Sequence, residues 1–357
     1  MMAQREKTNA DLAIGTLREI RRRARAAVFP AAWDWLECGS EREWTVRANV
    51  AAFRRYAPIQ RIFKDVSQLS TACCFFGVDL PLPLIGAPLG GLTQYHPDVE
   101  IALVSGCHLG QSIATLSAAS RLSPEDARKA SPAAPLIYQL YFQGPDEWVE
   151  SELERAHALD AVAVCLCGDA PVRSIRYRDV ENRYDARTVG RTENRRPPSH
   201  AMGARADWAM VRRLRGKTKK PLLIKGVMCA PDALEALDNG ADGVWVSNHG
   251  GRVLDSGMAS LDVLPEVRSA VGNSPLILFD GGVRTGTDML RALALGANIV
   301  AIGRPLVYGL AVAGAEGVSR VLEMYGEEFR SAMAFCGATS LRDIGTGILR
   351  TVGNRII

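Results

Sequence analysis

From residue 81 onward, short apolar runs of strand length alternate with longer stretches of helical periodicity. The apolar runs cover 81–86, 111–116, 136–142, 161–167, 221–227, 243–246, 275–279 and 299–302. Between them lie amphipathic segments such as 231–237 and 287–295, the latter closed by Gly296, where a residue without a side chain suits a helix end. Strands that alternate with helices pair in parallel through right-handed crossovers. Eight such units predict an α/β fold, a (β/α)8 TIM barrel, over residues 81–357. A doubly wound sheet would more often carry G-x-G-x-x-G after its first strand, and the chain has none. Residues 1–80 read as an N-terminal helical segment packed on the barrel. Residues 185–206 are polar, basic and aperiodic, and predict a long loop after the fourth strand, either a lid or a disordered stretch.

Composition narrows the partners. The chain of 357 residues is 47% hydrophobic and 23% charged, with a formal net charge of +4, so a large core is available and nucleic acid is not an expected partner. Arg21-Arg22-Arg23-Ala24-Arg25 could belong to a targeting presequence, but Asp11 and Glu19 interrupt it, and a solvated face on a first helix is the reading adopted. No window holds the roughly 18 uninterrupted apolar residues of a membrane span, so no membrane partner is expected. The eight cysteines form no C-x-x-C pair. Structural zinc is not expected, no metal site is assigned, and reduced thiols in a cytoplasmic setting are the expectation.

The chemistry collects at the strand ends, where barrels of this kind carry their reactive groups. Ser247-Asn248-His249-Gly250-Gly251-Arg252 follows a buried run. It sets an imidazole and a guanidinium on one glycine-rich turn, a proton acceptor beside an anion clamp. Arg252 could hold a carboxylate in two parallel hydrogen bonds and bring the neighbouring hydroxyl to His249. The last two strands end in Asp280-Gly281-Gly282-Val283-Arg284 and Gly303-Arg304-Pro305. Glycine turns with an arginine each, opening helices, predict a phosphate site. Lys225 closes another strand, as a nucleophile, a fixed charge beside a cofactor, or a lysine snorkelling to solvent. Tyr141 could add a hydrogen bond to the substrate or serve as a core tyrosine.

These segments, together with Ile224-Lys225-Gly226-Val227 and Ala292-Leu293-Ala294-Leu295-Gly296-Ala297, resemble the FMN-dependent α-hydroxy acid oxidases and dehydrogenases, the group of glycolate oxidase, lactate oxidase and mandelate dehydrogenase. The resemblance runs from about residue 29 to residue 344. It implies FMN as cofactor, lined by Pro88, Leu89, Gly90, Ser117, Gln139, Tyr141, Cys165 and Ser247, with Lys225 near N1 and O2 of the ring. Asp280 and Gly281 would face the ribityl chain, and Gly282, Arg284, Gly303 and Arg304 the phosphate. His249 would be the catalytic base, with Tyr141, Arg176 and Arg252 on the substrate. A 2-hydroxy acid would lose a proton to the base while two electrons pass to flavin N5, by hydride transfer or through a carbanion. The implied partners are a small carboxylate substrate and oxygen or another electron acceptor, and the implied assembly is a homotetramer or octamer.

Two departures stand out. Trp35 occupies the position of a tyrosine that contacts the substrate carboxylate in the family, and its indole N–H could substitute from a different place. The fourth strand, Cys165-Leu166-Cys167-Gly168-Asp169, reads as two residues longer than the family pattern. Either Cys167 replaces the aspartate that bonds the catalytic histidine, or a bulge delivers Asp169. A carboxylate there would stabilise the imidazolium formed on proton transfer. The departures leave two further readings: oxidation or oxidative decarboxylation of an unusual, larger acid in specialised metabolism, and a flavin-binding protein without turnover.

Overall fold

The computed structural model describes residues 15–120, 123–184 and 203–352. Eight parallel strands build the core: β1 (Leu84–Gly86), β2 (Ala114–Ser117), β3 (Leu136–Tyr141), β4 (Ala163–Cys167), β5 (Leu222–Val227), β6 (Gly243–Val246), β7 (Leu276–Phe279) and β8 (Ile299–Ile302). Their order is β1-β8-β7-β6-β5-β4-β3-β2. The ring closes between β1 and β2, where the Gly86 N–H donates to the Ile113 carbonyl at 2.8 Å and Leu89 bridges Leu116. This is the (β/α)8 barrel that the alternation predicts.

Period-two patterning decides what lies inside. Ile85, Ile113, Ile137, Ala163, Cys165, Leu223, Trp245, Leu278 and Ile299 form one buried cluster within the barrel, with Phe75 and Leu80 packed into it. Those two come from the antiparallel pair Cys73–Phe75 and Val78–Leu80, so this hairpin joins the barrel core. The other face of each strand packs against the surrounding helices in a second cluster, which also takes in Ile20, Ala24, Trp33 and Phe53 from the N-terminal segment.

Beyond this packing, that segment is tied to the rest of the fold by a strand pair and by backbone hydrogen bonds to Asp255. Its helices are Leu17–Ala27, Pro30–Glu37 and Trp44–Ala52. The basic face of the first is exposed as expected, yet Arg21 and Arg25 each set a guanidinium 5.3 Å from the Trp33 ring, and Arg21 pairs with Glu37 at 2.5 Å. The strand Tyr56–Pro58 pairs with Leu349–Thr351 near the other end of the chain. Asp255, after β6, accepts from the backbone N–H groups of Arg42 and Thr45 at 3.0 and 2.9 Å. No helix among the described residues is long and apolar enough to cross a membrane. Of the polar stretch expected as a loop at 185–206, only residues 203–206 lie within the described residues.

Candidate active site

The C-terminal ends of the strands converge as the pattern requires. After β6, His249, Gly250 and Gly251 all take left-handed backbone, with φ of 57°, 64° and 75°. Glycine adopts this freely, whereas a histidine there is held by its surroundings. The Ser247 hydroxyl accepts the His249 backbone N–H at 3.1 Å, and the Asn248 side chain accepts that of Gly251 at 3.0 Å. Gly251 in turn packs on Val46 of the helix Trp44–Ala52, so close that a Cβ would sit 2.7 Å from the Val46 nitrogen. The turn therefore aims the imidazole inward and keeps it there.

His249 Nδ1 lies 2.9 Å from Asp169 Oδ1. A carboxylate only accepts, so Nδ1 carries the proton and Nε2 offers its lone pair. Of the two alternatives, Asp169 rather than Cys167 is the partner of the histidine, and it arrives without a bulge in the fourth strand. β4 pairs in unbroken register with both neighbours, Tyr141 opposite Cys167 and Cys167 opposite Lys225. The irregularity sits in β5 instead, between Lys225 and Val227. Gly226 there has φ of +105°, and a Cβ on it would lie 2.5 Å from that of Asp169. A glycine inside a strand run is itself a bulge signal. Gly226→Ala is expected to displace Asp169 and cost upwards of about 1 kcal/mol in backbone strain, read as a lower urea midpoint together with lost turnover; a variant equal to the parent in both would remove Gly226 from this role.

Lys225, 3% exposed, is not a snorkelling lysine. Its ammonium donates to Ser247 Oγ at 3.0 Å and lies 3.3 Å from Asp169 Oδ2, and Ser247 donates onward to Asp280 Oδ1 at 2.7 Å. Burial works against the charge on Lys225, but Asp169 and then Cys167, Asp280 and Tyr141 outweigh it and hold its pKa well above the usual lysine value. Burial likewise pushes Asp169 up, and the charges of Lys225 and His249 overcome it, so this carboxyl titrates well below the ordinary range. Asp280 shifts upward, its burial exceeding the pull of Lys225. Cys167, Asp169 and His249 have the spacing of a metal-ligand set, but the adjacent buried ammonium opposes a divalent cation.

The other candidates fall into two groups. Ser117 donates to Gln139 Oε1 at 2.9 Å on the inner wall. Cys165, inside the barrel, has its thiol pushed up to about 12 by burial. Tyr141 sets its ring 6.5 Å from that of His249, and burial, then Cys167 and Asp169, push its hydroxyl well above the usual range. Gly303 places its backbone beside Leu89 and Ala87 and caps the helix Arg304–Cys336 without a side-chain bond to the first turn. Pro88 and Gly90 lie on the loop leaving β1. Gly281 and Gly282 back onto Ser260 and Asn49, where any side chain would collide.

Arginines do more than sequence spacing suggested. One terminal nitrogen of Arg252, Nη1, donates to the carbonyls of Trp35, Leu36 and Cys38 at 2.8, 3.2 and 2.9 Å. Arg304 donates to Leu36, Cys38 and Gly250. Both cap the C-terminal end of the helix Pro30–Glu37, where cations are favoured. Among the described residues Arg252 makes no bond through Nε or Nη2, which leaves one edge of the fork for a carboxylate. Burial, with the neighbouring charges of Arg252 and Arg284, pulls Arg304 down to about 10. Among the described residues the Arg284 side chain donates only to the Val283 carbonyl, at 3.0 Å. Three crowded guanidiniums beside an open helix N-terminus fit an anion such as a phosphate. Trp35 meets the site through its faces: Arg252 lies 4.7 Å and Arg176 5.9 Å from the ring, while its Nε1 is buried without a partner among the described residues.

Comparison with known proteins places the chain in a family. The family described as FMN-dependent dehydrogenase matches residues 24–351. An L-lactate oxidase of Lysinibacillus sphaericus is 35% identical over 346 residues, covering 91% of this chain and 90% of that protein. A peroxisomal (S)-2-hydroxy-acid oxidase of Oryza sativa subsp. japonica is 33% identical, covering 95% of this chain and 97% of its own. The crystal structure of a mandelate oxidase superposes with a TM-score of 0.87 at 31% identity, covering 95% of this chain and 99% of that one.

Proposed function

The chain belongs to the FMN-dependent dehydrogenase family, and on that premise we propose that it oxidises a 2-hydroxy acid to the 2-oxo acid with His249 as the base. The observation that carries the reading is the His249–Asp169 pair at 2.9 Å, beside an arginine with an uncommitted edge. The protein is an FMN-dependent oxidoreductase, and its residues fit the cofactor. Arg284, Gly282 and the turn Gly303-Arg304 would hold the phosphate, whose charge would offset the burial and the neighbouring arginines that depress Arg304. Asp280 and Gly281 would meet the ribityl chain. Pro88, Leu89, Gly90, Ser117, Gln139, Cys165, Ser247 and Lys225 would line the ring. FMN bound there supplies the acceptor for two electrons.

The chain's own residues do the rest. The free edge of Arg252 binds the substrate carboxylate, and Arg176 stands against the same indole. Tyr141 adds a hydroxyl beside His249. Nε2 of His249 takes the proton of the 2-hydroxyl, and Asp169, already ionised, stabilises the imidazolium. Lys225 keeps a positive charge at the inner wall, where negative charge gathers as electrons arrive. Anaerobic mixing of the FMN-loaded protein with a panel of 2-hydroxy acids, small and bulky, is expected to bleach the visible flavin band with at least one. A protein that holds FMN and is reduced by none of them has another substrate class. Peroxide appearing when air is admitted would identify oxygen as the acceptor.

A further inference from the structure

We propose that Cys167 is a positioning residue that tunes the His249–Asp169 pair through its thiol proton. Cys167 Sγ donates to Asp169 Oδ1 at 3.0 Å, the same oxygen that accepts His249 Nδ1–H at 2.9 Å. Two donors therefore divide one oxygen's charge, while Lys225 takes the other oxygen. A thiol is a weak donor, so most of that charge remains available to the imidazole. Burial and the adjacent Asp169 keep the thiol protonated, and hence a donor rather than a nucleophile. The thiol reaches this place because β4 runs in register, which puts Tyr141, Cys167 and Lys225 side by side at the inner mouth.

Other charged and titratable groups face the pair from every neighbouring strand. They are Tyr141 on β3, Cys165 below on β4, Lys225 on β5 and Asp280 after β7. None of them shares Asp169 Oδ1 in the described structure. A hydroxyl in place of the thiol would donate more strongly to that oxygen and weaken its hold on the imidazolium. A methyl would leave the oxygen to His249 alone.

The inference rests on His249 being the base, and the experiment separates the two. Cys167→Ser and Cys167→Ala holoenzymes are compared with the parent, using an acid that reduces its flavin. Ser is expected to move the acidic limb of the kcat/KM profile to lower pH by roughly half a unit, and Ala to higher pH by a similar amount. The downfield proton resonance of His249 Nδ1–H, recorded without substrate, should move in opposite directions in the two variants. Acid limbs and resonances that stay with the parent in both variants overturn the proposal, whatever happens to the rate. If instead His249→Asn leaves flavin reduction intact, the base assignment itself has failed. Should Cys167→Ala not retain flavin, the near-isosteric Ser variant alone decides, by the same limb and resonance.

Discussion

Replacing His249 with asparagine is expected to lower kcat/KM for flavin reduction by about 10²–10⁴-fold, the usual contribution of a positioned general base, while FMN remains bound. Asparagine is the informative substitution because its amide can still donate to Asp169, which would otherwise lose one of the donors around its buried carboxylate. The left-handed backbone at this position, φ of 57°, is also one that asparagine tolerates better than most residues. The loss should therefore be one of chemistry rather than of folding. Rapid-mixing absorbance of the anaerobic holoenzyme measures it, and circular dichroism checks the fold. Reduction within a few-fold of the parent rate would assign the proton to another group.

The second large effect is expected at Lys225. Lys225→Met keeps the length of the side chain but leaves Asp169 buried with no cation on Oδ2, and cuts the Ser247–Asp280 chain at its origin. Removing one member of a buried pair typically costs about 3–5 kcal/mol. Weaker FMN retention is expected as well, since the cation leaves the inner wall. The pH dependence has a definite sign. In the parent, Asp169 titrates below its unfolded value, so its contribution is present above about pH 4 and is lost as the pH falls further. In the variant, burial without the ammonium raises the folded pKa, so protonation on acidification relieves the unpaired charge. The stability gap should thus be widest near neutrality and narrow toward about pH 4. Chemical unfolding of both proteins at the two pH values tests this, and an unchanged gap would mean that packing, not charge, is what Lys225 supplies.

The parts of the site that were legible in the sequence share one property, a local backbone reason. Arg284 and Arg304 stand on glycine turns that open helices, and His249 stands between a buried strand and two glycines. Asp169 was visible only as one of two candidates, because two residues further along an extended chain returns a side chain to the same face. The deciding feature lies on the next strand, where Gly226 leaves room for the carboxylate. The double commitment of Arg252 and Arg304 to the carbonyls after Trp35 was not legible at all. More than 200 residues separate these partners in the chain, and no local pattern connects a helix end to a distant barrel loop.

By itself the sequence determined the barrel, because period-two and period-3.6 patterning and glycine turns act over a few residues, and the family, through the resemblance carried by its strand-end motifs. Only the tertiary structure decided how the groups are paired: Asp169 rather than Cys167 on His249, the β5 irregularity at Gly226, the thiol sharing a carboxylate oxygen, and two guanidiniums stacked against the indole of Trp35. Those pairings depend on register between neighbouring strands and on contacts across the mouth of the barrel. Both are settled by which backbone hydrogen bonds and which buried charges can be satisfied together in three dimensions.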